Sequence, residues 1–385
     1  MIRRLIVIGA ILTASAAGCS QSTEPVSDGL PVEVTLANLS VPVLAASNDR
    51  IFTSSFVDSG SRALDSRSLS GDLRWTTAVP ACPAGIRCTL AVDGSSNLYL
   101  NTVAGLMSRS GSTGALRWTL KDVVAPAIAI GSAGRLYAPG MPFSATQLMH
   151  AVDVNSGAIL WSSILPPNFD ATAALLDEAR AVVYAIGRGA VTALDTQTGA
   201  IKWITSRNCF AGSDGALASD GTIYVTCDSN GSSALIAYDP GGTAKWETNL
   251  GTNAGTLSPL IDGNGLVYVA NVNSLTALNK DGSVAWRLAG LFRNVTHPVI
   301  DSDHNVYISA SRISNISGRY LISVNNGQIV ETKGLFPCGG SLLLNSSGRL
   351  YCAEVALLIY MQTAGADQLA QWSQLSHDSN RTGRR

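Results

Sequence analysis

Apolar residues along this chain come in short runs, broken by polar turns at a regular spacing. An aliphatic–aromatic pair recurs as Ile51-Phe52, Leu98-Tyr99, Leu136-Tyr137, Val183-Tyr184, Ile223-Tyr224, Val267-Tyr268, Val306-Tyr307 and Leu350-Tyr351. Most pairs follow a polar, Gly-rich or Asp-rich turn, such as Asp220-Gly221 or Asp262-Gly263-Asn264-Gly265. Two β-rich runs split by such a turn predict a hairpin. A further apolar run follows and ends in a carboxylate or amide, as in Ala63-Leu64-Asp65, Ala151-Val152-Asp153, Ala193-Leu194-Asp195, Ala237-Tyr238-Asp239 and Ala277-Leu278-Asn279. Asp and Asn hydrogen-bond backbone amides in turns, and glycine supplies a positive φ there at no steric cost. Each repeat therefore predicts strand, tight turn, strand.

The last strand of each repeat carries a tryptophan. Trp75, Trp118, Trp161, Trp203, Trp246, Trp286 and Trp372 stand 43, 43, 42, 43, 40 and 86 residues apart, so the last gap spans two repeats with Glu331 in the vacant slot. A glycine lies four residues before six of these tryptophans, and Gly327 holds the same offset before Glu331. A bulky residue at this period marks a β-propeller. The fold class is all-β, with eight four-stranded blades predicted over residues 33–376. The last unit is irregular, and seven blades with a closing element remain an alternative. An isolated blade has two apolar faces and buries them only against neighbours. The tryptophans are the predicted blade-to-blade wedges, each with an N–H that needs a partner.

The ends speak to location. Arg3 and Arg4 precede an uncharged run from Leu5 to Ala17, too short to span a bilayer and suited to a signal-peptide core. Ala16-Ala17-Gly18-Cys19 resembles a bacterial lipobox, although leucine is usual where Ala16 stands. That resemblance implies a signal peptide over 1–18 and lipidation of Cys19. An ordinary secretory signal is the alternative. Residues 19–32 then form a lipidated, polar tether, and Ser20 implies the outer membrane. Residues 377–385 are a C-terminal tail.

The other six cysteines fall as near neighbours: Cys82 and Cys88, Cys209 and Cys227, Cys338 and Cys352. An even number in an exported chain predicts disulfides. Cys209 and Cys338 follow their tryptophan slots by six and seven residues, and Cys227 and Cys352 lie just past the tyrosine of the pair. The expected bonds are Cys209–Cys227, Cys338–Cys352 and Cys82–Cys88. Metal binding is not expected, since there is no Cys-x-x-Cys and the four histidines are scattered.

Without the leader the chain has 24 Lys and Arg against 27 Asp and Glu, a net charge of −3 that offers nucleic acid no basic field. No Gly-x-Ser-x-Gly elbow, P-loop, dinucleotide fingerprint or His-Glu-x-x-His occurs. Asp301-Ser302-Asp303-His304-Asn305 resembles the start of a calcium loop but lacks its glycine and distal glutamate. It aligns with the turn at Asp262 and is expected to be a hairpin turn. Phe169, Phe210, Phe292 and Phe336 recur just after the tryptophan slot, with Arg207 and Arg293 beside two of them. Either each ring packs its own corner, or the set forms a partner-binding rim, since aromatics and arginine dominate interface hot spots.

The unit of aliphatic-Tyr, Ala-Leu-Asp, Thr-Gly and Trp, clearest at Ala193-Leu194-Asp195, Thr198-Gly199 and Trp203, resembles the PQQ-like β-propeller repeat. The ending from Trp372 through His377-Asp378 to Arg381-Thr382-Gly383 resembles the tail common in such proteins. One branch of that family comprises quinoprotein dehydrogenases with a vicinal Cys-Cys pair, which this chain lacks. The other comprises non-enzymatic lipoproteins similar to BamB, of the outer-membrane β-barrel assembly machinery. The resemblance implies a non-catalytic, lipid-anchored envelope scaffold, without cofactor and monomeric, presenting a propeller face to a protein or extended peptide. The alternative is a quinone- or sugar-dependent periplasmic enzyme, or a glycan-binding module, using the central channel. It requires paired carboxylates or a metal set, and none stands out.

Overall fold

Each repeat folds into an antiparallel meander whose turns are set by the residues singled out above. The computed structural model describes residues 32–35 and 43–361, except 48, 85–87, 89, 141–146, 167–170, 189, 207–208, 210, 213–214, 230, 253–256, 313–314, 336–341, 346–347 and 354–355. Among the described residues there are eight sheets, six of four strands and two that gain a short fifth segment. We number them blades 1 to 8. They occupy 43–80, 90–120, 129–164, 171–206, 211–252, 260–289, 292–335, and 342–361 together with Val32–Thr35. The first seven run in chain order from innermost to outermost strand. First strands touch between blades 1 and 2, 3 and 4, 4 and 5, 5 and 6, and 7 and 8, and the first strand of blade 1, Val43–Ala46, meets Arg349–Ala353 of blade 8 to close the ring.

Burial follows strand position. The second strands are buried almost throughout, as in Val182–Gly187 and Val267–Asn271. The outermost strands alternate half-buried and exposed positions, with the tryptophan half-buried in Ile159–Ile164, Ile201–Ser206 and Val284–Ala289. The aromatic of the second strand lies in the same row as the tryptophan of the fourth. Tyr99 pairs with Ser108 and Ser108 with Trp118, which sets the two rings 5.9 Å apart at a tilt. The same contact recurs from Phe52–Trp75 to Tyr268–Trp286, at 5.7–6.2 Å.

The tryptophans join one blade to the next. Trp75, Trp118, Trp161, Trp203 and Trp246 donate their indole N–H to the carbonyls of Gly111, Val154, Thr196, Pro240 and Lys280, each in the following blade, at 2.8–3.1 Å. Each ring also lies on the glycine that precedes the next tryptophan slot, from Trp75 on Gly114 to Trp286 on Gly327. Gly199 shows why that residue has no side chain. Its φ is +72°, and a Cβ there would stand 2.5 Å from the Trp161 ring. The glycine that makes the turn of one blade is thus the seat for the wedge of the blade before.

Blade 8 departs from the expected plan. Its outermost strand is Val32–Thr35, which pairs antiparallel with Ala356–Met361 from Val32↔Ile359 to Thr35↔Ala356. The position that the spacing assigned to Trp372 is therefore taken by the start of the propeller, and Val32 belongs to a strand rather than to the tether. Trp372 lies outside the described residues. Joining both chain ends in one sheet means that the ring opens only if that sheet is torn. The closing seam uses polar groups. The Tyr351 hydroxyl donates to the Leu69 carbonyl at 3.2 Å. Asp65 and Arg67, on the face of blade 1 opposite Trp75, form a buried ion pair at 2.9 Å.

Gly199→Ala should lower unfolding stability by about 2–4 kcal/mol, combining backbone strain with overpacking on Trp161. Gly231→Ala has the same sign of φ, +76°, but nothing within 4 Å of the new Cβ. It should cost only about 1 kcal/mol. Chemical denaturation of the two variants side by side checks the seat, and equal losses would reject it.

Candidate functional site

Antiparallel connectivity sorts the loops of each blade onto two faces. Turns from strand 1 to 2 and from 3 to 4 lie on one face. Turns from strand 2 to 3, and the crossovers to the next blade, lie on the other.

The first face is polar and closed on itself. Asp153 Oδ1 accepts the amides of Asn155 and Ser156 and the Ser156 hydroxyl at 2.8–3.0 Å. The amide and hydroxyl of Ser156 hold its pKa below the usual carboxylate value. Asp195 makes the equivalent turn with Gln197 and Thr198. The Lys202 ammonium, aided by the Thr198 and Gln197 amides, brings its pKa down to about 2. The calcium-like segment is a hairpin turn of the same kind. Asp301 Oδ1 accepts the amides of Asp303 and Asn305, while Oδ2 accepts Asn305 Nδ2 and the Tyr307 hydroxyl. Its oxygens are committed to the turn, and among the described residues no three His, Cys, Asp or Glu side chains converge.

The crossover face is stapled. Cys82 and Cys88 are bonded within the crossover from blade 1 to 2. Cys209, in the crossover from blade 4 to 5, is bonded to Cys227 on the second strand of blade 5, with Cα atoms 5.2 Å apart. Cys352 is buried and disulfide-bonded. Cys338, its expected partner, lies outside the described residues, as do Cys19, Phe169, Arg207, Phe210 and Phe336. Beside Cys227 a cleft of about 420 Å³ is lined also by Ser229, Ser232, Ala234, Glu247 and Asn249.

Phe292 packs its own corner. It pairs with Arg312 in a two-residue strand, is 0% exposed and joins the core of blades 4 to 7, so its ring has no surface to offer a partner. Arg293 is half-buried. In the turns and crossovers of this face the exposed large apolar side chains are Phe56 and Val57 near the first 2–3 turn, Val103 and Val272 at the tips of two others, and Leu291 on a crossover, while the outermost strands expose others, among them Leu73, Leu116, Ile159, Ile201 and Val284. Val103 is 58% and Leu291 48% exposed. Valine at a hairpin tip was the available sequence signal, since such turns favour Gly, Asn, Asp and Ser.

The sequence family described as outer membrane protein assembly factor BamB matches residues 57–204 and 207–331, more than half of the chain. The chain belongs to the BamB family of PQQ-like β-propellers. No curated protein sequence matches it significantly. Among solved structures it is similar to BamB from Moraxella catarrhalis, with 19% identity and a TM-score of 0.61 over 86% of this chain and 100% of that one. The computationally designed Ika8 protein is similar at 13% identity and a TM-score of 0.66, over 86% of this chain and 100% of that one. The C-terminal WD40 domain of Sif2 is similar at 10% identity and 0.59, over 88% and 100%. At these identities the likeness concerns fold, and the designed and WD40 propellers show how widely that fold is used.

The disulfide bonds should leave Cys82, Cys88, Cys209 and Cys227 unreactive to an alkylating agent until reductant is added, as read by mass spectrometry. Cys209→Ser with Cys227→Ser should lower stability by about 3 kcal/mol, given the loop closed by that bond. Alkylation without reductant would reject the pairing.

Proposed function

We propose that this member of the BamB family is a non-catalytic scaffold of the bacterial envelope, which holds a partner polypeptide on its crossover face. The observation that carries this reading is the asymmetry of the two faces. The turns of one are satisfied by their own Asp, Ser and Thr side chains, while the turns and crossovers of the other expose Phe56, Val57, Val103, Val272 and Leu291. Exposed apolar groups on a rigid, cross-linked surface favour a protein partner. Disulfides agree with an oxidising compartment. A lipid on Cys19, as the lipobox resemblance implies, would anchor the scaffold to the outer membrane. The family name supports a role in outer-membrane protein assembly.

Photo-crosslinking residues at 103 and 272, compared with the same group at 155 on the polar face, test the reading in intact cells. We expect discrete adducts to an envelope protein from 103 and 272, lost in the Val57→Asp, Leu291→Asp double variant, and none from 155. Adducts from 155 alone would reject the crossover face. In fractionated cells, Cys19→Ser should move the protein from membrane to soluble fraction. Unchanged partition would remove the lipid anchor.

A further inference from the structure

The rim of the disc consists of eight outermost strands, each a sheet edge with unpaired backbone groups. Such edges recruit strands from other chains unless charged side chains guard them. Seven of the eight carry a charge. The residue before the tryptophan is Arg74, Arg117, Lys202 and Lys245 in blades 1, 2, 4 and 5. Arg287 stands on the outermost strand of blade 6, and the sequence places Glu331 and Lys333 on that of blade 7 and Glu33 on that of blade 8. Blade 3 ends in Ile-Leu-Trp-Ser-Ser-Ile, with Leu160 where its neighbours place a cation. Ile159, Leu160 and Ile164 are 44%, 47% and 65% exposed. Both serines are engaged within the protein, Ser162 with Nδ1 of the buried His150 and Ser163 with the Gly199 carbonyl.

We propose that the edge Ile159–Ile164 docks an extended, uncharged segment of a partner polypeptide as a fifth strand of blade 3. An incoming strand would pair its backbone with this edge and lay aliphatic side chains beside Leu160 and Ile164, which share one face, and small or hydroxyl side chains beside the serines. A charged segment would have to leave its ions without water or counter-charge against these aliphatics. A second copy of this chain fits less well. Two convex rims would meet only along this strand, about 20 Å long. That contact is far below the roughly 800 Å² per partner of a stable interface. A slender extended segment has no such obstruction. The edge lies on the rim and not on the crossover face, so it stands independently of the partner proposed there.

The probe is a capped (Thr-Val)4 peptide, with capped (Lys-Val)4 as control. Binding is read by anisotropy of labelled peptide and by hydrogen exchange of the protein amides. The uncharged peptide should bind and protect amides 159–164, and the lysine peptide should not. Leu160→Lys installs the residue that blades 4 and 5 already carry there, so the blade keeps its fold. It should weaken binding at least about tenfold. Lys202→Leu removes the guard of blade 4 and should create a second protected edge at 201–206. Equal binding by the wild type and Leu160→Lys, or protection away from 159–164, would overturn the proposal. So would sedimentation showing that the wild type self-associates and Leu160→Lys does not, because the edge would then join copies of this chain.

Discussion

The tryptophan on glycine at each seam is the contact on which the rest of the ring depends. A β-meander of this size has too little apolar surface to be stable alone, and its outer strand has no neighbour beyond it. The indole answers both needs. Its area covers the flank of the next sheet, and its N–H satisfies a turn carbonyl that the next blade would otherwise leave to solvent. Trp203 shows the arrangement whole, with its ring on Gly242, its N–H on the Pro240 carbonyl and Tyr184 behind it at 5.8 Å. Spacing in the chain and spacing around the ring are therefore one quantity.

The seams are not equal, and their differences locate the special blade. Junctions from blade 1 to blade 7 carry the indole seat. At the next junction the slot holds Glu331, and blades 7 and 8 share a smaller buried cluster of Val299, Tyr307, Leu321, Leu342, Leu344, Leu350 and Cys352. At the junction back to blade 1 the Tyr351 hydroxyl donates to the Leu69 carbonyl, and blade 1 carries the buried Asp65–Arg67 pair on its face opposite Trp75. Blade 8, assembled from both ends of the chain, is thus secured by covalent continuity and pairing where the others are secured by wedges.

Much of this was legible in the sequence because repetition turns single residues into a pattern. The aromatic pairs located the second strands and the tryptophans the fourth strands of blades 1 to 6, and Asp153 and Asp195 make the turns their positions predicted. The N-terminal strand was not legible. Val32-Glu33-Val34-Thr35 is four residues long, lacks the marks of a repeat, and pairs with residues more than three hundred positions away. The choice between packed corner and partner rim at Phe292 was not legible for a related reason. Its offset from the tryptophan is regular, but a two-residue strand with Arg312 turns the ring inward and leaves Leu291 outside. Sequence offsets fix which loop a residue occupies. The side on which it emerges depends on pairing with a distant strand.

The seat arrangement also bears on how such a ring grows. Each repeat brings one wedge for its successor and one seat for its predecessor, so a duplicated unit fits its parent at once, with no compensating change elsewhere. Selection on the number of units can then act through curvature and closure, since the joints are already compatible. The Glu331 slot marks the end of that series. Beyond it the next unit is completed by Val32–Thr35, and the run of wedges stops.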